Sequence, residues 1–151
     1  MADPKMKFLV VDDFATMRRI VRGLLKELGF NNVDEAEDGV VALAKLKSES
    51  FDFVVSDWNM PNMTGIELLR AIRADDTLGN TPFILTEASF ECEDINLAHQ
   101  AGADAFILKP FDMSVLKAKL KQVINRKPRK REAPLAAEST LSVDFPMLGK
   151  F

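Results

Sequence analysis

The stretch FDFVVSDWNMP, residues 51–61, contains a short apolar run that ends in a carboxylate, Asp57, and then turns polar. Two other apolar runs end in charged residues in the same way, FLVVDD at residues 8–13 and AFILKP at residues 105–110. Short runs of this kind predict buried strands. Because the carboxyl ends of parallel strands meet at one edge of a sheet, the charged residues should come together there. The sequence therefore predicts one acidic pocket with a single cation, formed by Asp12, Asp13, Asp57 and Lys109.

Amphipathic segments separate the predicted strands. Apolar residues between Ala15 and Leu28 recur at three- and four-residue intervals and Gly29 follows, which indicates a helix with a glycine stop. The segment 64–67, Thr-Gly-Ile-Glu, matches a capping box that opens a third helix. Five strands alternating with five helices predict an α/β, doubly wound domain with a parallel sheet. The predicted strands are residues 8–11, 33–36, 51–56, 83–85 and 105–108.

The chain of 151 residues is long enough for one domain and a remainder. Residues 1–126 form the predicted domain, and residues 127–151 form a C-terminal tail, basic at first and then weakly apolar, which we expect to be disordered. Residues 126–151 carry a net charge of +3, which leaves −6 for residues 1–125 of a chain whose total is −3. A short basic run such as 126–131 is more typical of a solvated helix end than of a nucleic-acid site, so we expect no nucleic-acid partner.

Composition also bounds the location of the protein. The first residues lack the apolar stretch of a signal peptide, and no apolar run approaches the length of a membrane span. A single cysteine, Cys92, precludes an internal disulfide, which suits a reducing compartment. We therefore expect a cytoplasmic protein without membrane insertion. Cys92 and the one histidine, His99, cannot form a metal site by themselves and are expected to be ordinary helix residues.

The predicted pocket suits a hard divalent cation and a phosphoryl group. Mg²⁺ prefers oxygen ligands and keeps several waters, so two or three carboxylates suffice. Asp13 and Asp57 can bind the metal directly, and Asp12 can bind it directly or through water. Asp57 is the predicted nucleophile, and Lys109 supplies the cation that phosphoryl transfer requires on the transferred group. One strand-end aspartate could merely cap the following helix, but the joint placement of these residues favours a functional site.

These residues resemble the motifs of the receiver domain of two-component signalling, and within that family the chemotaxis response regulators of the CheY type. The resemblance covers about residues 5–126 and rests on Val-Asp-Asp, Ser-Asp-Trp-Asn-Met-Pro, Gly65 and Lys-Pro-Phe at 109–111. It implies a flavodoxin-like sheet with the strand order 2-1-3-4-5, as in flavodoxin and CheY. It also implies that Asp57 accepts a phosphoryl group from a histidine kinase of the CheA type, that Mg²⁺ is required, and that Asn59 offers a backbone carbonyl to the metal.

The resemblance further implies an output. The implied function is a phosphoacceptor switch that binds a flagellar motor switch protein of the FliM type when phosphorylated. We expect a stand-alone switch, because no effector domain follows residue 126 in this sequence. A phosphatase is a further implied partner. Such a protein is a signalling protein and not an enzyme, although it assists its own phosphoryl transfer and autodephosphorylation. Phe106 occupies the family's aromatic switch position, and the expected partner face includes Phe106 and Lys119. We expect a monomer.

One position departs from the family pattern. The family has Thr or Ser at the end of the fourth strand, where its hydroxyl and amide hold phosphoryl oxygens. Aligned without gaps between Pro82 and Lys109, that position is Glu87, whereas a one-residue slip would return Thr86 to the site. We favour Glu87 and expect it to form an ion pair with Lys109, which would slow phosphorylation.

Two other functions compete with the phosphoacceptor switch. A receiver-like binding module that works without phosphorylation would accommodate Glu87 in the position of the usual Thr. A flavodoxin-like FMN protein is disfavoured, because carboxylates follow the first strand where a loop should cradle phosphate.

Overall fold

Strands and helices alternate along the chain in the computed structural model, which describes residues 3–125. The strands are β1 (Lys7–Val11), β2 (Asn32–Ala36), β3 (Phe53–Asp57), β4 (Phe83–Glu87) and β5 (Ala105–Leu108). The helices are α1 (Ala15–Glu27), α2 (Gly39–Ser48), α3 (Gly65–Ala74), α4 (Cys92–Ala101) and α5 (Met113–Ile124). The predicted alternation is confirmed. The predicted tail, residues 127–151, lies outside the described residues.

The five strands form one parallel sheet in the order β2-β1-β3-β4-β5. The chain runs outward from β1 to β2, crosses back to β3 on the other side of β1, and continues to β5, so its direction across the sheet reverses between β1 and β3. In doubly wound sheets ligands bind beside this reversal, outside the carboxyl ends of the strands. Both the fold class and the strand order implied by the resemblance are confirmed.

Apolar side chains of the central strands cover both faces of the sheet. One face packs against α2, α3 and α4, and the other packs against α1 and α5. Successive residues of a strand point to opposite faces, so β3 and β4 each contribute to both cores. Such continuous apolar strands are typical of parallel sheets buried on both sides. The strand residues at these two cores include Val54, Phe83 and Leu85 on the first face, and Phe53, Val55 and Ile84 on the second.

Several element boundaries differ from the prediction. β4 continues to Glu87, two residues beyond its predicted end, and β3 includes Asp57. The sequence-based boundaries stopped where polar residues begin, but Asp57 and Thr86 are buried polar residues that pair across the ladder. Ile20, which belongs to the apolar pattern of α1, is 47% exposed because it lies at the margin of the buried stripe.

Helix α3 begins at the predicted capping box and packs tightly against the end of β3. Thr64 Oγ1 accepts a hydrogen bond from the Glu67 amide at 3.2 Å, and Glu67 Oε1 accepts one from the Thr64 amide at 2.9 Å. The Gly65 amide donates to the Trp58 carbonyl oxygen at 2.8 Å, and a Cβ atom on Gly65 would overlap the carbonyl oxygen of Asp57. The start of α3 therefore fixes the backbone on which Asp57 stands.

The remaining helices fit the expectations from composition. Cys92 and His99 both lie in α4 with exposed side chains. No helix within residues 3–125 combines the length and apolar character that crossing a bilayer requires.

Candidate functional site

Three carboxylates meet at the carboxyl ends of β1 and β3. Asp12 and Asp13 follow β1 directly, and Asp57 is the last residue of β3. One carboxylate oxygen from each residue lies within 4.8 Å of the other two. Asp12 and Asp57 are 3% and 5% exposed, whereas Asp13 is exposed to solvent. The structure thus brings together the three side chains that the strand ends predicted.

Lys109 joins this cluster from the end of β5. Its Nζ atom lies 3.0 Å from Asp12 Oδ2 and 3.0 Å from Asp57 Oδ1. The other oxygen of the Asp12 carboxylate accepts a hydrogen bond from the Phe14 amide at 3.0 Å. With every group ionised, three carboxylates and one ammonium leave a net charge of −2 in a largely buried pocket. Buried charge without full compensation is unfavourable, so the pocket favours a further cation.

The ionisation of Asp57 is perturbed by this environment. Burial raises the pKa of Asp57 from 3.8 to about 6, and the negative charges of Asp12 and Glu87 add to the rise, while Lys109 opposes it. Burial alone would lower the pKa of Lys109, but hydrogen bonds from its ammonium group to Asp12 and Asp57 outweigh this effect and raise the pKa above its ordinary value. Lys109 is therefore fully charged at neutral pH, and Asp57 is mostly ionised.

The end of β4 places Thr86 and Glu87 in different surroundings. Thr86 pairs with Asp57 across the ladder, is 3% exposed, and donates a long hydrogen bond to the Ser56 carbonyl oxygen at 3.4 Å. Glu87 is the last residue of β4, and its carbonyl oxygen accepts a hydrogen bond from the Lys109 amide at 2.8 Å. Whether Glu87 or, after a slip, Thr86 takes the position of the family's Thr or Ser stays a prediction.

The expected Glu87–Lys109 ion pair is wrong. Glu87 Oε2 instead accepts a hydrogen bond from Asn59 Nδ2 at 2.8 Å, and Oε1 accepts one from the Ala88 amide at 2.7 Å. Asp57, which is far more buried than Glu87, holds the ammonium group of Lys109. Attraction to a buried carboxylate is stronger because water screens it less. The side chain of Asn59 therefore donates its hydrogen bond to Glu87. The proposed role of the Asn59 backbone carbonyl as a metal ligand stays a prediction.

A row of aromatic rings leads from the pocket to β5. Phe90 lies between Trp58, at a centroid distance of 6.1 Å, and Phe106, at 5.8 Å. Phe106 is half-buried and packs against the core on the α4 side of the sheet. The sequence predicted a special role for Phe106 but missed Phe90. The available signal was one aromatic residue isolated in the otherwise polar loop between β4 and α4.

The expected partner face lies on α4, β5 and α5. Lys119 lies on α5 with a half-buried side chain, and Phe106 lies on the neighbouring strand β5. These three elements also carry several large apolar side chains that are 38% to 56% exposed. Exposed apolar side chains are candidates for contact with other proteins when they form a continuous patch. They are Ile95, Leu97, Leu108, Met113 and Val115.

Comparison with known proteins agrees with this geometry. The family model described as the response regulator receiver domain matches residues 8–121. The chemotaxis protein CheY of Pseudomonas aeruginosa is 51% identical over 121 residues, which cover 80% of this chain and 98% of that protein. The chemotaxis protein CheY-3 of Vibrio cholerae is 54% identical over 121 residues, which cover 80% of this chain and 93% of that protein.

Solved structures give the same result. The chemotaxis protein CheY4 of Vibrio cholerae matches with a TM-score of 0.74 and 34% identity, over 79% of this chain and 98% of that one. The receiver domain of a sensor histidine kinase from Pseudomonas aeruginosa, with a magnesium ion coordinated in its active site cleft, matches with a TM-score of 0.73 and 25% identity, over 81% of this chain and 99% of that one. The chain therefore belongs to the response regulator receiver domain family and is a receiver domain of the CheY type.

Proposed function

We propose that the protein is a phosphoacceptor switch in which Asp57 receives a phosphoryl group from a histidine kinase in the presence of Mg²⁺. The observation that carries this proposal is the buried Asp57 carboxylate with two further carboxylates beside it and the Lys109 ammonium 3.0 Å away. In the transfer, an Asp57 oxygen forms a bond to phosphorus while the phosphorus–nitrogen bond of the kinase's phosphohistidine breaks, and the histidine nitrogen keeps the electron pair.

The donor set fits Mg²⁺. The available ligand atoms are carboxylate oxygens, which hard divalent cations prefer, and the pocket carries an excess negative charge of −2. Asp13 and Asp57 would bind the ion directly. Asp12 would contact it through water, because its two oxygens already accept hydrogen bonds from Phe14 and Lys109. When bound, the ion supplies positive charge that neutralises the transferred group.

Two properties of the pocket prepare Asp57 and Lys109 for the transfer. With a pKa of about 6, Asp57 is mostly ionised at pH 7 and therefore nucleophilic. Once the Asp57 oxygen is bonded to phosphorus, the carboxylate charge that held Lys109 is lost. The ammonium group is then free to neutralise a phosphoryl oxygen, and its raised pKa keeps it charged while it does so. Attack of water on the same phosphorus breaks its bond to the Asp57 oxygen, releases inorganic phosphate and restores the Asp57 carboxylate.

The output of the switch is a change in partner binding at α4, β5 and α5. The aromatic row of Trp58, Phe90 and Phe106 connects the pocket to this face by direct ring contacts. A ring with two stable orientations is the kind of bistable element that such a response requires. The partners are a histidine kinase of the CheA type, a flagellar motor switch protein of the FliM type and a phosphatase, and they meet the protein in the cytoplasm.

A second candidate function rests on Glu87. Its carboxylate already accepts hydrogen bonds from the Ala88 amide and the Asn59 side chain, which hold this acidic side chain at the end of β4. A phosphoryl group on Asp57 would be repelled by this charge. A binding module that holds one conformation without phosphorylation is the alternative that follows.

Acetyl phosphate and beryllofluoride separate the two functions, with Trp58 fluorescence as the signal. A phosphoacceptor switch should show Mg²⁺-dependent quenching by both reagents, and Asp57→Asn should abolish it. Glu87→Thr should react about tenfold faster than the wild type, which corresponds to about 1.4 kcal/mol of relieved repulsion, whereas the matched change Thr86→Ala should not accelerate the reaction. A wild-type protein that binds Mg²⁺ but responds to neither reagent would favour the phosphorylation-independent module.

A further inference from the structure

A groove of about 490 Å³ lies between the carboxyl end of α1 and the outer side of α5. It is at the opposite end of the domain from Asp57, because the turn after α1 leads into the amino end of β2 and Asp57 lies at the carboxyl end of β3. Its volume is within the range of about 300–1,000 Å³ typical of ligand sites. The apolar floor of the groove is formed by Leu28, Phe30, Leu120 and Ile124. Its basic rim is formed by Lys117 and Lys121.

The apolar floor is incompletely covered by the described residues. Leu120 is buried, but Leu28, at the end of the apolar pattern that predicted α1, and Ile124, the last residue of α5, are only half-buried. Lys117 and Lys121 are exposed beside them. A segment that fits this groove therefore carries both apolar side chains and negative charge. The apolar side chains would cover the floor, and the negative charge would lie beside the two lysines of the rim.

The chain itself contains such a segment close to the groove. Asn125, the final described residue, lines the groove, so the part of the chain that follows it begins at this site. Residues 132–149 carry three acidic side chains and no basic one, in contrast to the basic run 126–131. Apolar residues are concentrated at 141–148, LSVDFPML, with Asp144 among them. The family model matches only as far as residue 121. The alignment with CheY of Pseudomonas aeruginosa spans 121 residues, or 80% of this chain.

We propose that the groove between α1 and α5 is the docking site for residues 141–148 of the same chain. Fifteen residues separate Asn125 from Leu141, and a flexible connection of that length spans about 19–23 Å on average. A connection of this kind gives an effective concentration in the millimolar range, so even a weak contact is substantially occupied within one molecule. The apolar side chains cover Leu28 and Ile124, and Asp144 approaches the two rim lysines. Asp57 stays accessible, because the contact is at the other end of the domain.

Paramagnetic broadening in NMR spectra tests this contact in the full chain. A nitroxide is attached at Ser142→Cys in a Cys92→Ser background, so that it is the one label on the protein. Docking should reduce the amide signals of the groove, such as those of Gly29, Phe30 and Lys121, by more than half. Signals around Asp57 should keep their intensity.

Matched variants decide whether the contact has the proposed chemistry. Lys117→Glu combined with Lys121→Glu should restore the groove signals, whereas Lys47→Glu on α2 should leave them broadened. In the tail, Phe145→Ser should restore the signals, and Leu135→Ser, outside the docking segment, should not. These lysines are exposed, so the spectra should show an intact fold.

Three results would overturn the proposal. The first is the absence of broadening at the groove, and the second is broadening at α4 and β5 instead, for example at Ile95 and Leu108. The third is equal broadening when spin-labelled protein is mixed with isotope-labelled protein without a spin label, because the occupant would then be a second copy. All of these readings are independent of Mg²⁺ and of phosphorylation, so they stand whether or not Asp57 is a phosphoacceptor.

Discussion

Replacing Asp57 with Asn should stabilise the metal-free protein by about 3 kcal/mol at pH 8. Burial, with added repulsion from Asp12 and Glu87, raises the pKa of Asp57 from 3.8 to about 6 even though Lys109 opposes the rise. One unit of pKa corresponds to about 1.4 kcal/mol, so ionising the folded protein at this position costs about 3 kcal/mol more than ionising the unfolded chain. Asn keeps the shape of the neutral side chain and avoids this cost.

The pH dependence follows from the direction of the pKa change. Folded Asp57 holds its proton more tightly than unfolded Asp57, so the free energy of unfolding of the wild type falls as the pH rises through the interval between 3.8 and about 6. The cost is absent well below this interval, about half complete at pH 5, and complete above about pH 7. The advantage of Asp57→Asn should therefore shrink from about 3 kcal/mol at pH 8 to about 1.5 kcal/mol at pH 5.

Urea unfolding in EDTA at both pH values, followed by Trp58 fluorescence and circular dichroism, measures this difference. Glu37→Gln, which removes an exposed carboxylate, is the control and should change the stability little. Saturating Mg²⁺ should reduce or reverse the difference in the free energy of unfolding between Asp57→Asn and the wild type, because the ion stabilises only the folded wild type. The reasoning would be refuted by a variant that is less stable than the wild type in EDTA, or by a gain that is the same at pH 5 and pH 8.

Other predictions concern the metal, the output face and the tail. Asp13→Ala removes a direct oxygen ligand and should weaken the Mg²⁺ affinity, measured by Trp58 fluorescence, more than about tenfold. Loss of a residue that merely supports a metal ligand already costs about tenfold in affinity. An unchanged Mg²⁺ titration would contradict the assignment of Asp13 as a ligand. Phe106→Ala should preserve Mg²⁺ affinity but weaken binding of a motor switch peptide in calorimetry, whereas parallel loss of both would indicate unfolding. Truncation after Pro128 should lower the free energy of unfolding in urea by no more than about 1 kcal/mol, the contribution of a weakly occupied internal contact.

The sheet and the acidic pocket were predictable because the apolar runs are unambiguous. A strand buried on both faces has no alternation to interpret, and the residue at its carboxyl end must lie at the edge of the sheet. Asp12 and Asp57 therefore followed from the ends of two runs, and Lys109 followed from the end of a third. Resemblance supplied the strand order, which periodicity does not determine.

The pairing of charges at the pocket was not predictable in the same way. Glu87 and Asp57 both compete for Lys109, and the outcome depends on their relative depth, which is a property of the assembled sheet. Depth also differs along α5 in a way that periodicity does not reveal. Helical periodicity shows that Ile124 faces the same side as Leu120, but it does not show whether another element covers that end of the helix.

The close approach of Gly65 to Asp57 has a consequence for sequence libraries. Any side chain at position 65 would overlap the Asp57 carbonyl oxygen, and moving α3 away would displace the loop after β3. Randomising that codon and selecting for folded protein should return glycine alone. Gly23, in the middle of α1, has open space around its missing Cβ and a helical backbone, so the same selection should enrich alanine, which favours a helix by about 1 kcal/mol. Selection should therefore keep glycine at position 65 and replace it at position 23, although the two residues are chemically identical.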